Sequence, residues 1–255
     1  MPTALPAPLA AILGHLGTGF VRRYHRLEVT GDLAPPAEPV LFVANHGFGT
    51  VFDLNVLATY AAFEELGLDR PVTALVHQLA WTLRLGPLVE PFGARPASPD
   101  EARSAFARGE HVLVLPGGDL DAFKPYADRH RIVFGGRTGF ARLALEAGVP
   151  VVPVVTAGAG DTLRVLSDGR RRARALRLDR TLRLKAVPVS LSLPWGLGVG
   201  AGFLPYLPLP ARLRTAVLPA MRPTVDAAGE PESAEAFAAR VETAMQACLD
   251  ELARR

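Results

Sequence analysis

The sequence of 255 residues contains a single cysteine, Cys248, which excludes an intrachain disulfide framework and any metal site made from a cysteine cluster. Lysine is almost as scarce. Only Lys124 and Lys185 occur, so nearly all positive charge is arginine, a side chain suited to bidentate phosphate contacts. The net charge of +3 is smaller than a nucleic-acid binder usually carries, so no nucleic-acid partner is expected. The sequence has no G-x-S-x-G nucleophile elbow, no G-x-x-x-x-G-K-[ST] phosphate loop and no H-E-x-x-H zinc motif. Residues 186–211 carry no charge and are numerous enough to span a bilayer. They also hold Pro188, Pro194, Pro205, Pro208 and Pro210, and each proline costs a helix interior about 3 kcal/mol. This stretch therefore reads as an irregular apolar loop, buried in protein or dipping into a lipid interface, and no transmembrane helix is expected.

What is present is ample core material, with 49% hydrophobic and 21% charged residues. Within residues 1–26, Leu5, Leu9, Ile12, Leu13, Leu16, Phe20 and Val21 recur near helical spacing and Arg22, Arg23 and Arg26 follow. A signal peptide has the opposite order, with charge first. The pattern predicts an N-terminal amphipathic helix whose apolar stripe faces either a core or a membrane surface. Short apolar runs then predict strands over 39–44, 72–76, 111–115, 149–155 and 213–218. Helical spacing between them predicts helices over 53–66, 79–89, 100–107, 137–147 and 233–253, the last placing Cys248 on its core face. The alternation points to one α/β domain over 1–255, a largely parallel central sheet with helices on both faces.

Among six histidines, His46 stands apart because it follows a buried strand, in Asn45-His46-Gly47, and precedes Asp53 and a helix. Side chains at the carboxyl ends of parallel strands face the crevice where such folds bind ligands. A histidine there can take a proton from a hydroxyl near neutral pH, with a carboxylate fixing its tautomer. Asp53 is the acid at hand, although it is also placed to cap the following helix. Seven steps of continuous helix would separate the two residues by about 10 Å. For the pair to form, Gly47 and Gly49 must hold a non-helical turn, in conformations that only glycine permits.

Four blocks carry a family resemblance. They are Phe42-Val43-Ala44-Asn45-His46 with Asp53, then Glu90-Pro91-Phe92-Gly93-Ala94-Arg95, then Val112-Leu113-Val114-Leu115-Pro116-Gly117-Gly118-Asp119, and finally Gly139-Phe140-Ala141-Arg142-Leu143-Ala144 with Val149-Pro150-Val151-Val152-Pro153-Val154. Together they span residues 38–156, and the chain resembles the glycerolipid acyltransferase superfamily, closest to its diacylglycerol-acyltransferase-type branch. The family block most often has four residues between histidine and aspartate, whereas six stand here. Its common Glu-Gly-Thr-Arg wording is replaced by Pro116-Gly117-Gly118-Asp119.

The resemblance implies an O-acyltransferase that moves a fatty acyl group from an acyl thioester, acyl-CoA or acyl carrier protein, to a hydroxyl of a lipid acceptor. His46 would be the general base and Asp53 its orienting acid. Asn45, Gly47, Pro116, Gly117, Gly118, Asp119, Lys124, Arg131 and Arg137 would contact substrate. Backbone N–H groups around Gly47, or around Gly117 and Gly118, would face the oxyanion. Neither a metal nor a cofactor beyond the donor is called for, and the expected location is peripheral, on the cytoplasmic face of a membrane. The other readings of the same residues are an inactive lipid-binding protein and an ester or thioester hydrolase.

Overall fold

The computed structural model describes residues 6–48, 53–82, 84–178, 185–200, 206–225, 230 and 232–255. Leu5, Gly49 and Pro205, all named above, lie outside them. In chain order the elements are α1 (Ala7–Arg23), β1 (Glu28–Gly31), β2 (Leu41–Ala44), α2 (Leu54–Leu66), β3 (Val72–Val76), α3 (Leu79–Thr82), α4 (Gly86–Val89), β4 (Ala94–Pro96), α5 (Pro99–Ala107), β5 (His111–Val114), α6 (Gly118–Ala122), α7 (Gly139–Ala147), β6 (Val151–Ala157), β7 (Arg164–Ser167), α8 (Arg170–Ala175), β8 (Val189–Ser192), β9 (Gly196–Val199), β10 (Arg214–Val217) and α9 (Ala234–Arg254).

Seven strands form the main sheet in the order β1-β10-β6-β2-β5-β3-β4. The five from β6 to β4 run parallel, while β10 is antiparallel to β6 and β1 runs parallel to β10. Every residue of β2 is buried, as its continuous apolar sequence requires of a strand covered on both faces. Its alternate side chains enter opposite layers. Leu41 and Val43 pack with α5, α7 and α9 through Ala105, Phe140, Phe237 and Met245. Phe42 and Ala44 pack with α2 through Ala62, Phe63 and Leu66. Helices thus cover both faces, and α1 lies outside α2, touching it at Val21, Leu54, Ala58 and Ala61.

The expected helix over 79–89 is two short pieces. Pro87 cannot donate the backbone hydrogen bond that would continue the first piece, and the chain turns at Arg84 with φ +58°. The helix expected from residue 137 starts at Gly139, because Thr138, with φ −111° and ψ 3°, is its non-helical N-cap. The uncharged stretch is more regular than an irregular loop. It holds β8 and β9, which pair antiparallel and join β7 in a second, three-stranded sheet. Pro188, Pro194, Pro208 and Pro210 sit outside the ladder positions, where a missing N–H costs a strand nothing. Cys248 is half-buried and packs against the core formed by α9. Among the described residues, no helix is long and apolar enough to cross a membrane.

Candidate active site

The carboxyl ends of β2 and β6 meet at one pocket. It is walled by Asn45, His46, Gly47, Asn55, Lys124, Arg129 and Gly158, with Leu163 and, from the second sheet, Val165. The base of this pocket is a set of amide bonds at the end of β2. The Asn45 side chain donates to Thr156 O (3.0 Å) and accepts from Thr156 N (2.9 Å), extending the sheet by one pair of bonds beyond its last backbone pair. Asn55 Nδ2 donates to Asn45 O at 3.1 Å, tying the first turn of α2 to the same point. Asn55 Oδ1 is buried beside them with no hydrogen-bond partner among the described residues, an acceptor left at the pocket wall.

His46 stands on this base. Its Nδ1 lies 2.7 Å from Asp53 Oδ2, and Asp53 is fully buried. An ionised carboxylate only accepts hydrogen bonds, so Nδ1 carries the proton and Nε2 keeps its lone pair. The Asp53 carboxylate also accepts from Gly47 N (3.0 Å) and from Asn55 N (2.8 Å). Dyad partner and helix cap are therefore the same side chain, its two oxygens divided between the two tasks.

Gly47 differs from the sequence expectation in its reason for being glycine. It is not among the residues with positive φ. A Cβ there would come within 2.8 Å of Asp53 Oδ1 and 2.9 Å of the Ala159 Cβ, so the constraint is space, not conformation.

Two oxyanion candidates are already engaged. Gly47 N–H is held by Asp53, and Gly118 N–H donates to Leu115 O.

A buried ion pair lies behind the histidine. Asp121, with no exposed surface, accepts the His46 backbone N–H through Oδ2 (2.7 Å) and the Lys124 ammonium through Oδ1 (2.7 Å). Lys124 also donates to Arg131 O at 2.8 Å. Sequence reasoning missed Asp121, whose bond to a backbone N–H leaves no mark in the sequence.

Of the residues expected to contact substrate, Asn45, Gly47 and Lys124 line the pocket with His46. Pro116, Gly117, Gly118, Asp119, Arg131 and Arg137 are not part of its wall. Arg137 is committed to Pro116 O and Asp119, and Arg131 reaches Asp128. Tyr206 was not foreseen. It packs edge-on against Phe48 with its hydroxyl 3.4 Å from Thr162 Oγ1, and burial pushes that hydroxyl up to about 12.

The model of the family described as acyltransferase matches residues 26–157, about half of the chain, including β2 and β6, whose ends meet at the pocket. The chain belongs to the acyltransferase family. A second model, described as diacylglycerol acyltransferase, matches residues 92–232 of this chain. Similar curated proteins include the "DGAT1/2-independent enzyme synthesizing storage lipids" of Gallus gallus, 28% identical over 70% of this chain and 52% of the relative. Another is "2-acylglycerol O-acyltransferase 3" of Homo sapiens, 30% identical over 55% of this chain and 42% of the relative. The chain spans about half the length of the curated relatives it matches. The fold is similar to that of a solved 1-acyl-sn-glycerophosphate acyltransferase, PlsC, from Thermotoga maritima. That likeness has a TM-score of 0.55 at 14% identity and covers 98% of this chain and 82% of the other.

Proposed function

We propose that the protein transfers a fatty acyl group from an acyl thioester to the hydroxyl of a glycerolipid-type acceptor at a membrane surface. The observation that carries this reading is the 2.7 Å contact between His46 Nδ1 and buried Asp53, which leaves Nε2 basic inside the pocket. In the reaction, Nε2 removes the proton from the acceptor hydroxyl as its oxygen attacks the thioester carbonyl. A tetrahedral intermediate forms and collapses, the carbon–sulfur bond breaks, and the imidazolium returns the proton to the leaving thiolate. Asp53 stabilises the imidazolium while it lasts. Lys124 spends two of its N–H bonds on Asp121 and Arg131 O, and the third serves the oxyanion. Acyl-CoA or acyl carrier protein supplies the thioester, and the acceptor is a lysophospholipid or an acylglycerol.

Peripheral membrane docking is supported by α1. Its Leu9, Ile12, Leu13, Leu16 and Phe20 are exposed while only Ala10, Thr18 and Val21 are buried. An amphipathic helix with that face outward and arginines at its end suits a lipid interface.

The test is incubation of purified protein with radiolabelled acyl-CoA and a panel of lysophospholipids, mono- and diacylglycerols and long-chain alcohols. The expected result is labelled acyl ester that requires both an acceptor and His46. Release of free fatty acid regardless of acceptor would establish a hydrolase instead. No turnover of acyl-CoA or acyl carrier protein thioesters with any acceptor would overturn the enzymatic reading.

A further inference from the structure

The second sheet is built inside out. Along β8 and β9, Ser190 is fully buried and Ser192 nearly so, while Leu191, Leu193, Leu197 and Val199 are 50–67% exposed. Register confirms that this is one face: Leu191 stands opposite Leu197, and Val189 opposite Val199. Trp195 is 53% exposed in the turn between the strands, and Leu166 of β7 is exposed as well. An antiparallel sheet with one face to water normally turns its polar residues outward. Here the outward residues are leucine, valine and tryptophan.

Three observations identify what covers this face. The first is continuity with α1. Tyr24 Oη donates to Pro208 O at 2.9 Å, and Leu207 N–H donates to Leu193 O at 2.8 Å. The exposed stripe of α1 therefore runs into the exposed face of the hairpin through Leu207 and Leu209, both exposed themselves. The second is charge. Residues 163–200 contain nine arginines and lysines against two aspartates, and residues 186–200 contain no charge at all. Arg170, Arg171, Arg172 and Arg174 belong to α8, which follows the end of β7 that pairs with the base of the hairpin, away from Trp195. An uncharged apolar tip above a cationic base matches the acyl and phosphate layers of an anionic leaflet in that order. The third is the tryptophan in the turn, a side chain favoured where hydrocarbon meets headgroup. A protein partner would explain the leucines but not this layering of charge.

We propose that the outer face of β7, β8 and β9 is a second lipid-docking surface, which inserts the 193–196 turn into an anionic phospholipid leaflet beside α1. This rests on the membrane-surface reading given above. It also sets where the pocket stands. Val165 and Leu163 line the pocket, so the sheet that meets lipid is itself a wall of the active site.

The sequence has two tryptophans, and Trp81 is not among the residues that line the pocket. Trp81→Phe makes Trp195 the only emitter. On vesicles of phosphatidylcholine and phosphatidylglycerol, Trp195 emission is expected to shift to shorter wavelength. Lipids brominated near the top of the acyl chain should quench it. Leu191→Glu with Leu197→Glu is expected to weaken vesicle affinity on the order of tenfold or more, since each buried leucine it removes is worth at least that factor. Transfer to a water-soluble short-chain acceptor should be unchanged. Protein that floats with vesicles while Trp195 stays unshifted and unquenched would overturn the proposal. So would a lipid-independent dimer that Leu191→Glu dissociates. Normal quenching without any acyl transfer would sink the enzymatic reading and leave the docking surface standing.

Discussion

Replacing Asp53 by asparagine separates the two tasks of one carboxylate. In the protein, Oδ1 accepts from Gly47 N at 3.0 Å and Asn55 N at 2.8 Å, and Oδ2 faces His46 Nδ1 at 2.7 Å. An asparagine must keep its carbonyl oxygen where Oδ1 stands, because the two backbone N–H groups there need an acceptor. Its amide nitrogen then faces His46 and can only donate, which forces the imidazole proton onto Nε2, the atom that should accept the substrate proton. Asparagine caps a helix as well as aspartate does, so stability should change by less than about 1 kcal/mol. The rate should fall by roughly 10²–10⁴, the usual contribution of a general base, or about 3–5 kcal/mol in activation energy. Steady-state transfer from acyl-CoA, with thermal melting of the same samples, checks both numbers. Transfer within threefold of wild type at unchanged melting temperature would refute the role given to Asp53. Asp53→Ala supplies the contrast, since it loses the cap as well and should cost a further ~1 kcal/mol of stability.

Gly47→Ala should lower both activity and stability, the latter by about 1–3 kcal/mol, because the new methyl group meets Asp53 and Ala159 below 3 Å. A soluble variant with normal transfer would contradict this. Asp121→Ala strands the buried Lys124 ammonium and should destabilise by about 3–5 kcal/mol, measured by urea unfolding, whereas Asp121→Leu with Lys124→Met should recover much of that loss. His25 and His111 have no exposed surface, and burial lowers both below the usual histidine range. Their neutral forms are favoured in the fold, so their stabilising contribution is complete above about pH 6.5 and declines as pH falls through the folded values. A melting temperature that stays flat from pH 7.5 to 5 would refute this. Burial pushes the Cys248 thiol up to about 11, so alkylation by iodoacetamide at pH 8 should be slow until the protein is denatured.

The parallel strands were legible because runs such as Leu41-Phe42-Val43-Ala44 have no polar alternation and nowhere to go but a sheet covered on both faces. The short edge strands β1 and β4 carry no such signal, since Glu28-Val29-Thr30-Gly31 is exposed along most of its length. The hairpin of β8 and β9 was hidden by its inverted pattern, which looks like an unstructured apolar stretch unless the face turned outward is known. At the site, His46 was visible from its place after a buried strand. Its partner's geometry was not, because the intervening six residues fix no distance by themselves. Asp121 was invisible as a site residue because its work is done on a backbone N–H, which no sequence motif records.

The sheet is completed at one edge by β1 laid along β10, strands 186 positions apart in register from Glu28 to Arg214. During synthesis from the amino end, β1 therefore waits for nearly the whole chain before its strand partner exists. The parallel strands β2 and β6, whose ends gather the pocket, are available much sooner, and α1 can already pack on α2 through Val21, Leu54, Ala58 and Ala61. Its exposed apolar stripe is then free to find lipid before the edge of the sheet is complete. Assembly of the final edge then becomes the late, long-range step, of the kind that folds slowly. A chain arrested before β10 would present β6 as an open edge, available to another arrested chain.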